Sequence, residues 1–144
     1  MTQTLSAVFE QCDFRQADID QVRFDGRRFD DNGLVGLNDN NMMGCDFSTA
    51  KIYGSAFMAI DFRNLIPPVG EQFSLVDGYP PKVRIAVDRL KAEGSTDAAV
   101  VLATYEGEFQ GASVLPADAR GLLDFGLLSD SEARLLAAVF EIER

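Results

Sequence analysis

The stretch Phe9-Glu10-Gln11-Cys12-Asp13-Phe14-Arg15-Gln16-Ala17-Asp18-Ile19-Asp20-Gln21-Val22-Arg23-Phe24 places a large apolar residue at every fifth position, with Val22 as an extra. The series runs on through Phe29 to Leu34, then resumes out of phase at Leu37, Met42, Phe47, Ile52, Phe57 and Phe62. All seven phenylalanines before Leu65 fall on these two phases, so the spacing is a property of the chain and not of its average hydrophobicity. A period of five matches neither the 3.6 of a helix nor the 2 of a strand, and neither element alone would keep these side chains on one face. Two residues before each large one stands a mostly small or apolar residue: Ala7, Cys12, Ala17, Val22, Val35, Cys45, Ala50, Ser55 and Ile60, with Arg27, Asn32 and Asn40 as exceptions.

The units Cys12-Asp13-Phe14-Arg15-Gln16, Ala17-Asp18-Ile19-Asp20-Gln21 and Cys45-Asp46-Phe47-Ser48-Thr49 resemble the pentapeptide-repeat family, over about residues 5–65. That resemblance implies a mainly β chain with some α: a short right-handed quadrilateral β-helix, followed by a small α+β C-terminal region that caps it. Each unit would form one side, and about three coils at a strand spacing near 4.8 Å would rise only about 14 Å. The large residue and the one two before it would point inward, and the other three positions outward. The phase slip across Leu34-Val35-Gly36-Leu37 reads as a bulge or as an interrupting loop.

Ile66-Pro67-Pro68 ends the repeat, because proline cannot donate to a sheet ladder, and divides the chain into 1–65 and 66–144. Beyond it, 83–90 reads as helix or strand. Residues 98–105 and 108–115 read as a hairpin turning at Glu106-Gly107, and 117–125 as helical. Ser129 and Glu132 form a capping-box pattern ahead of a helix to about Glu143. Its apolar stripe, Leu135, Leu136, Val139 and Phe140, would either close an open end of the repeat or join two copies as a homodimer.

The net charge of -10 and isoelectric point near 4.3 argue against direct binding to nucleic acid or anionic membrane and for a basic protein surface as partner. No run approaches the roughly 18 apolar residues of a membrane span, and the start lacks a secretory pattern, so a cytoplasmic setting is expected. With no histidine and two cysteines, no imidazole-based triad or structural zinc site assembles, and no cofactor motif is present. Cys12 and Cys45 take the inward position and read as core thiols. The chain is therefore expected to bind and not to catalyse.

The expected partner-binding carboxylates are Asp13, Asp18, Asp20, Asp25, Asp30 and Asp31 on the repeat, with Glu106 and Glu108 beyond it. By phase, the repeat's acids should all face outward. Pentapeptide-repeat proteins that act on DNA gyrase mimic a duplex with such surfaces, and the resemblance implies the same use here. Two features narrow it. Residues 1–65 hold 10 acidic and 6 basic residues, and Arg15, Arg23, Arg28 and Arg63 interrupt any phosphate-like track. A rise of about 14 Å also spans only some four base pairs. The expectation is an inhibitor or regulator of a nucleic-acid-handling protein, of the phage anti-defence (anti-CRISPR) or gyrase-interacting type. The alternative is an immunity or assembly module without a nucleic-acid connection.

Overall fold

The computed structural model describes residues 2–3, 9–29, 35–37 and 42–143. Its first half contains β1 (Thr2–Gln3), β2 (Asp18–Asp20), β3 (Val22–Asp25), β4 (Arg27–Phe29), β5 (Val35–Leu37), β6 (Lys51–Tyr53) and β7 (Ala56–Met58). The five-residue period has a backbone cause. Two residues after the large apolar one, the chain turns through a left-handed conformation at Gln11, Gln16, Gln21, Gly44, Gly54 and Ala59, with φ between 49° and 71°. Each such turn disfavours an L-residue by about 1–2 kcal/mol, which glycine avoids at Gly44 and Gly54. Between turns only three or four residues remain extended, so the strands are short.

Neighbouring strands pair in parallel: Thr2 lies beside Val22, Asp18 beside Lys51 and Arg23 beside Ala56. Single bridges join Asp13 to Asp46 and Asp46 to Ile66. The spacing is twenty residues in the first and last of these pairs and 33 in the rest, because β4 and β5 leave the ladders as an antiparallel pair. That excursion accounts for the phase slip.

These findings correct the expectation of a mainly β chain built on a quadrilateral β-helix. The strands are two to four residues long and gather in separate sheets of two or three strands, with no continuous coiled sheet among the described residues. Helices hold more of the described residues than strands do. What repeats is the local turn and its inward side chain.

Those side chains form one core. Phe24, Phe47, Ile52, Phe62, Met42 and Cys45 are buried in it, with Phe9, Phe14 and Phe57 packed against them. Residues brought side by side by the parallel pairing stack face to face, Phe14 on Phe47 at 4.5 Å and Phe24 on Phe57 at 5.0 Å between ring centroids. Edge-on contacts link the stacks, an arrangement that satisfies the ring quadrupoles. Cys45 is buried and Cys12 half-buried, and burial pushes the Cys45 thiol up.

The second half contains β8 (Phe73–Val76), α1 (Tyr79–Glu93), α2 (Thr96–Thr104), α3 (Glu106–Gly111), a 3-10 turn (Ala112–Val114), β9 (Gly121–Asp124) and α4 (Asp130–Val139). The ambiguous 83–90 stretch lies within α1, which has Pro80 and Pro81 in its first turn and ends at a left-handed Gly94. Ser95 then caps α2 by accepting from Ala98 N–H. The hairpin expected over 98–115 is therefore corrected to α2 and α3, whose apolar residues face the core at helical spacing through Ala98, Val101, Tyr105 and Phe109. The helix expected over 117–125 is corrected to β9, which pairs antiparallel with β8.

The Ser129–Glu132 capping box forms, with both reciprocal hydrogen bonds, and α4 ends at Val139. Leu136, Val139 and Phe140 are buried in a core shared with α1 and α2, and Leu135 packs partly buried against it. The stripe is covered by α1 and α2, so packing within the second half takes the place of both uses expected of it, closing an open end of the repeat and joining two copies. No helix among the described residues is long and apolar enough to cross a membrane.

The halves meet chiefly through α3, β8, β9 and the 3-10 turn. Gly111 of α3 sits so close to β7 and the residue after it that a Cβ would lie 2.7 Å from the Ala59 nitrogen. The Phe62 N–H donates to the Arg120 carbonyl at 2.9 Å, and the Arg120 N–H returns a bond to the Asp61 carboxylate at 3.1 Å. Phe73 and Leu122 reach into the first core, and Leu37 packs against the second.

Candidate protein-binding face

Among the described residues, four of the seven carboxylates of the first half are already occupied: Asp13, Asp25, Asp46 and Asp61. In Asp13-Phe14-Arg15, Asp25-Gly26-Arg27 and Asp61-Phe62-Arg63, the aspartate Oδ1 accepts the backbone N–H two residues on, and the arginine at that position folds back to grip the same carboxylate. The Nη2–Oδ2 distance is 2.7 Å in all three. The backbone bond fixes the turn, and the two-toothed side-chain contact neutralises the charge. Hydrogen bonds from the Arg15 side chain and backbone hold Asp13 down at a pKa of about 2. At Asp25 burial acts upward, but the hydrogen bonds from Arg27 and the charges of Arg27 and Arg23 outweigh it. Arg63 also reaches Asp118 at 2.8 Å, tying the corner to the second half. Asp46 accepts the Ser48 N–H at 2.8 Å, with Arg15 3.9 Å away.

Asp18 and Asp20 differ because neither has an arginine two positions further along the chain. The residue two beyond Asp18 is Asp20, and two beyond Asp20 is Val22, so neither can close an arginine corner. They flank the buried Ile19 on β2 and are both exposed, and no ion pair holds either among the described residues. The pairing with β6 sets Lys51 beside Asp18 and Tyr53 beside Asp20. Tyr53 is 65% exposed and Val69, across a groove of about 560 Å³, is 76% exposed. Gln72 walls the groove, its amide donating to the Ile52 carbonyl at 3.3 Å and the Asp124 carboxylate at 3.1 Å.

No family model, curated protein or solved structure matches the chain. The likeness to the pentapeptide-repeat family rests on the five-residue units alone.

The other expected site residues are scattered. Asp13 is exposed but gripped by Arg15. Asp25, expected to face outward, is 4% exposed. Its ladder, β3 with β7, lies under α3, so pointing away from the repeat core does not mean pointing into water. Glu106 is exposed in the first turn of α3, where its carboxylate accepts from Gln110.

Glu108 is corrected as a partner-facing acid. It turns into the junction, beside a small cavity also lined by Ser55, Tyr105 and Asp124. Burial pushes its pKa up to about 7, reinforced by the nearby Asp124 and opposed by its own backbone hydrogen bond and the charge of Arg23. Burial likewise raises Asp124, against hydrogen bonds from Gly126 and Gln72. The Tyr105 hydroxyl donates to the Asp124 carbonyl. Asp30 and Asp31 lie outside the described residues.

The structure thus brings Asp18 and Asp20 together and adds Lys51, Tyr53, Val69 and Gln72, none of which stood out in the sequence. Tyr53 carried a usable signal, since a phenol at the position after the inward Ile52 must face outward. Val69 and Gln72 carried none, because they reach the ladder only through the chain's return after Pro67-Pro68.

Proposed function

We propose that this protein is a non-catalytic binding protein that covers a basic, nucleic-acid-contacting surface of a protein partner, with the open β2–β6 ladder as its contact face. The observation that carries this is the state of the carboxylates: Asp18 and Asp20 are exposed without an arginine, in a chain of net charge -10. A full duplex mimic is less well supported, because the Asp-x-Arg corners cancel the charge that such a surface would repeat. Blocking a compact basic site needs only a few well-placed carboxylates.

The test is a competition. The partner is captured on immobilised full-length protein and identified, and displacement of its DNA or RNA is titrated at low and moderate salt. Displacement should weaken steeply with salt and be lost in the Asp18→Lys, Asp20→Lys double variant. A partner without nucleic-acid contacts, or binding unchanged by the charge reversal, would defeat the proposal.

A second reading is favoured by a specific feature. An apolar groove of about 490 Å³ runs between α1, α2 and α3, lined by Val87, Leu102, Ala103 and Phe109 with Lys91 and Glu106 at its rim. It suits an immunity or assembly module that recognises its partner by shape, in which case binding would change little with salt.

A further inference from the structure

We infer that the groove between β6 and residues 69–73 receives an extended, arginine-bearing segment of a protein partner, the guanidinium lying across Tyr53 and pairing with Asp20. The inference rests on the proposed function and names the chemistry of its contact. Asp20 and Tyr53 are side by side on adjacent parallel strands, so their Cβ atoms stand roughly 5 Å apart, and both side chains are exposed. A carboxylate next to an accessible aromatic face is the setting that distinguishes arginine from lysine. The planar guanidinium stacks on the ring while its edge hydrogen-bonds the carboxylate, whereas an ammonium is a compact, strongly hydrated charge.

The surroundings favour the arginine at this end of the groove. Val69 offers an apolar wall for the arginine methylenes. The Gln72 amide is engaged by the Ile52 carbonyl and the Asp124 carboxylate, so that wall is held in place. Lys51 offsets part of the Asp18 charge at the other end of the groove, so the single arginine is drawn to the Asp20–Tyr53 end. A phosphate-bearing ligand is disfavoured by the same two carboxylates.

The experiment uses the full chain and a capped peptide of about seven residues with a single arginine between two valines, against a twin carrying neutral citrulline. Backbone amide NMR titration should shift residues 18–20, 51–53 and 69–73, and the citrulline twin should bind about fivefold more weakly, as should the arginine peptide to Asp20→Asn or Tyr53→Ala. Both substitutions are at exposed positions, and their unshifted spectra elsewhere will report an intact fold.

Equal titration by the two peptides, or shifts confined to the α1–α3 groove, would overturn the inference. If the peptide ignores the β2–β6 groove while charge reversal still abolishes displacement of nucleic acid from the partner, the inference falls and the proposed function stands. If charge reversal is also without effect, both fall.

Discussion

The β2–β6 and β3–β7 ladders share the same five-residue step and the same 33-residue pairing, yet one faces water and the other lies beneath α3. On the covered ladder, the outward Asp25 is buried and gripped by Arg27, and Glu108 of α3, in a small cavity with Ser55 and Phe57, has its pKa pushed up by burial to about 7. On the open one, Asp18 and Asp20 stand in solvent beside an exposed tyrosine. Repeat phase decides which way a side chain leaves its own ladder, and the second half of the chain decides what that side chain meets. Buried and solvent-facing positions are therefore assigned by packing at a distance, to residues that are equivalent in sequence.

The largest expected effect that separates the ladders is pH dependence at the covered one. A carboxyl with a raised folded-state pKa binds its proton more tightly folded than unfolded. The Glu108 contribution is thus fully present below its ordinary pKa of 4.5 and is lost as pH rises towards about 7. Asp124, Arg23, Tyr79 and Tyr105 lie around it, and the shift from 4.5 to about 7, caused chiefly by burial, corresponds to a loss on ionisation of order 3 kcal/mol. Thermal melts from pH 5 to 8 should show the native protein losing stability relative to Glu108→Gln, and parallel curves would show that the junction is not sensitive to this charge.

Next in size is the contrast between equivalent aspartates. Asp25→Ala removes the two-toothed acceptor of a largely buried Arg27 and should cost about 2–3 kcal/mol in denaturant unfolding. Asp18→Ala on the open ladder should change stability by less than about 0.5 kcal/mol. Similar costs at the two sites would remove the distinction between the ladders.

The turns supply a smaller effect. Gly54, at φ 61°, has only the Gln21 side chain near its missing Cβ, so Gly54→Ala tests the left-handed backbone with little steric clash. It should destabilise the chain by about 1 kcal/mol. An increase in stability would contradict the turn as the origin of the period.

The spacing of Phe9, Phe14, Ile19 and Phe24 makes the inward set legible, since one apolar residue per turn is a local property. Ser129 and Glu132 declare the start of α4 for the same reason. The 98–115 stretch misleads because Val100 and Val101 favour strand and Glu106-Gly107 looks like a turn, while the deciding cap is the single Ser95 hydroxyl. The arginine corners could have been read from the three Asp-x-Arg triplets of the first half, but a fourth triplet, Asp118-Ala119-Arg120, forms none, because Arg120 pairs with Asp77 instead. The burial of Asp25 and Glu108 could not, because it depends on the close contact of Gly111 with Ala59, residues more than fifty positions apart.

The most direct test of the open ladder is amide hydrogen exchange on the full chain alone and bound to whatever partner the proposed competition experiment captures. Protection should appear at residues 18–20, 51–53 and 69–73, leaving the 61–63 corner and the α2–α3 surface unchanged. Protection centred on the groove between α1, α2 and α3, with the β2–β6 ladder exchanging as in the free protein, would contradict the account.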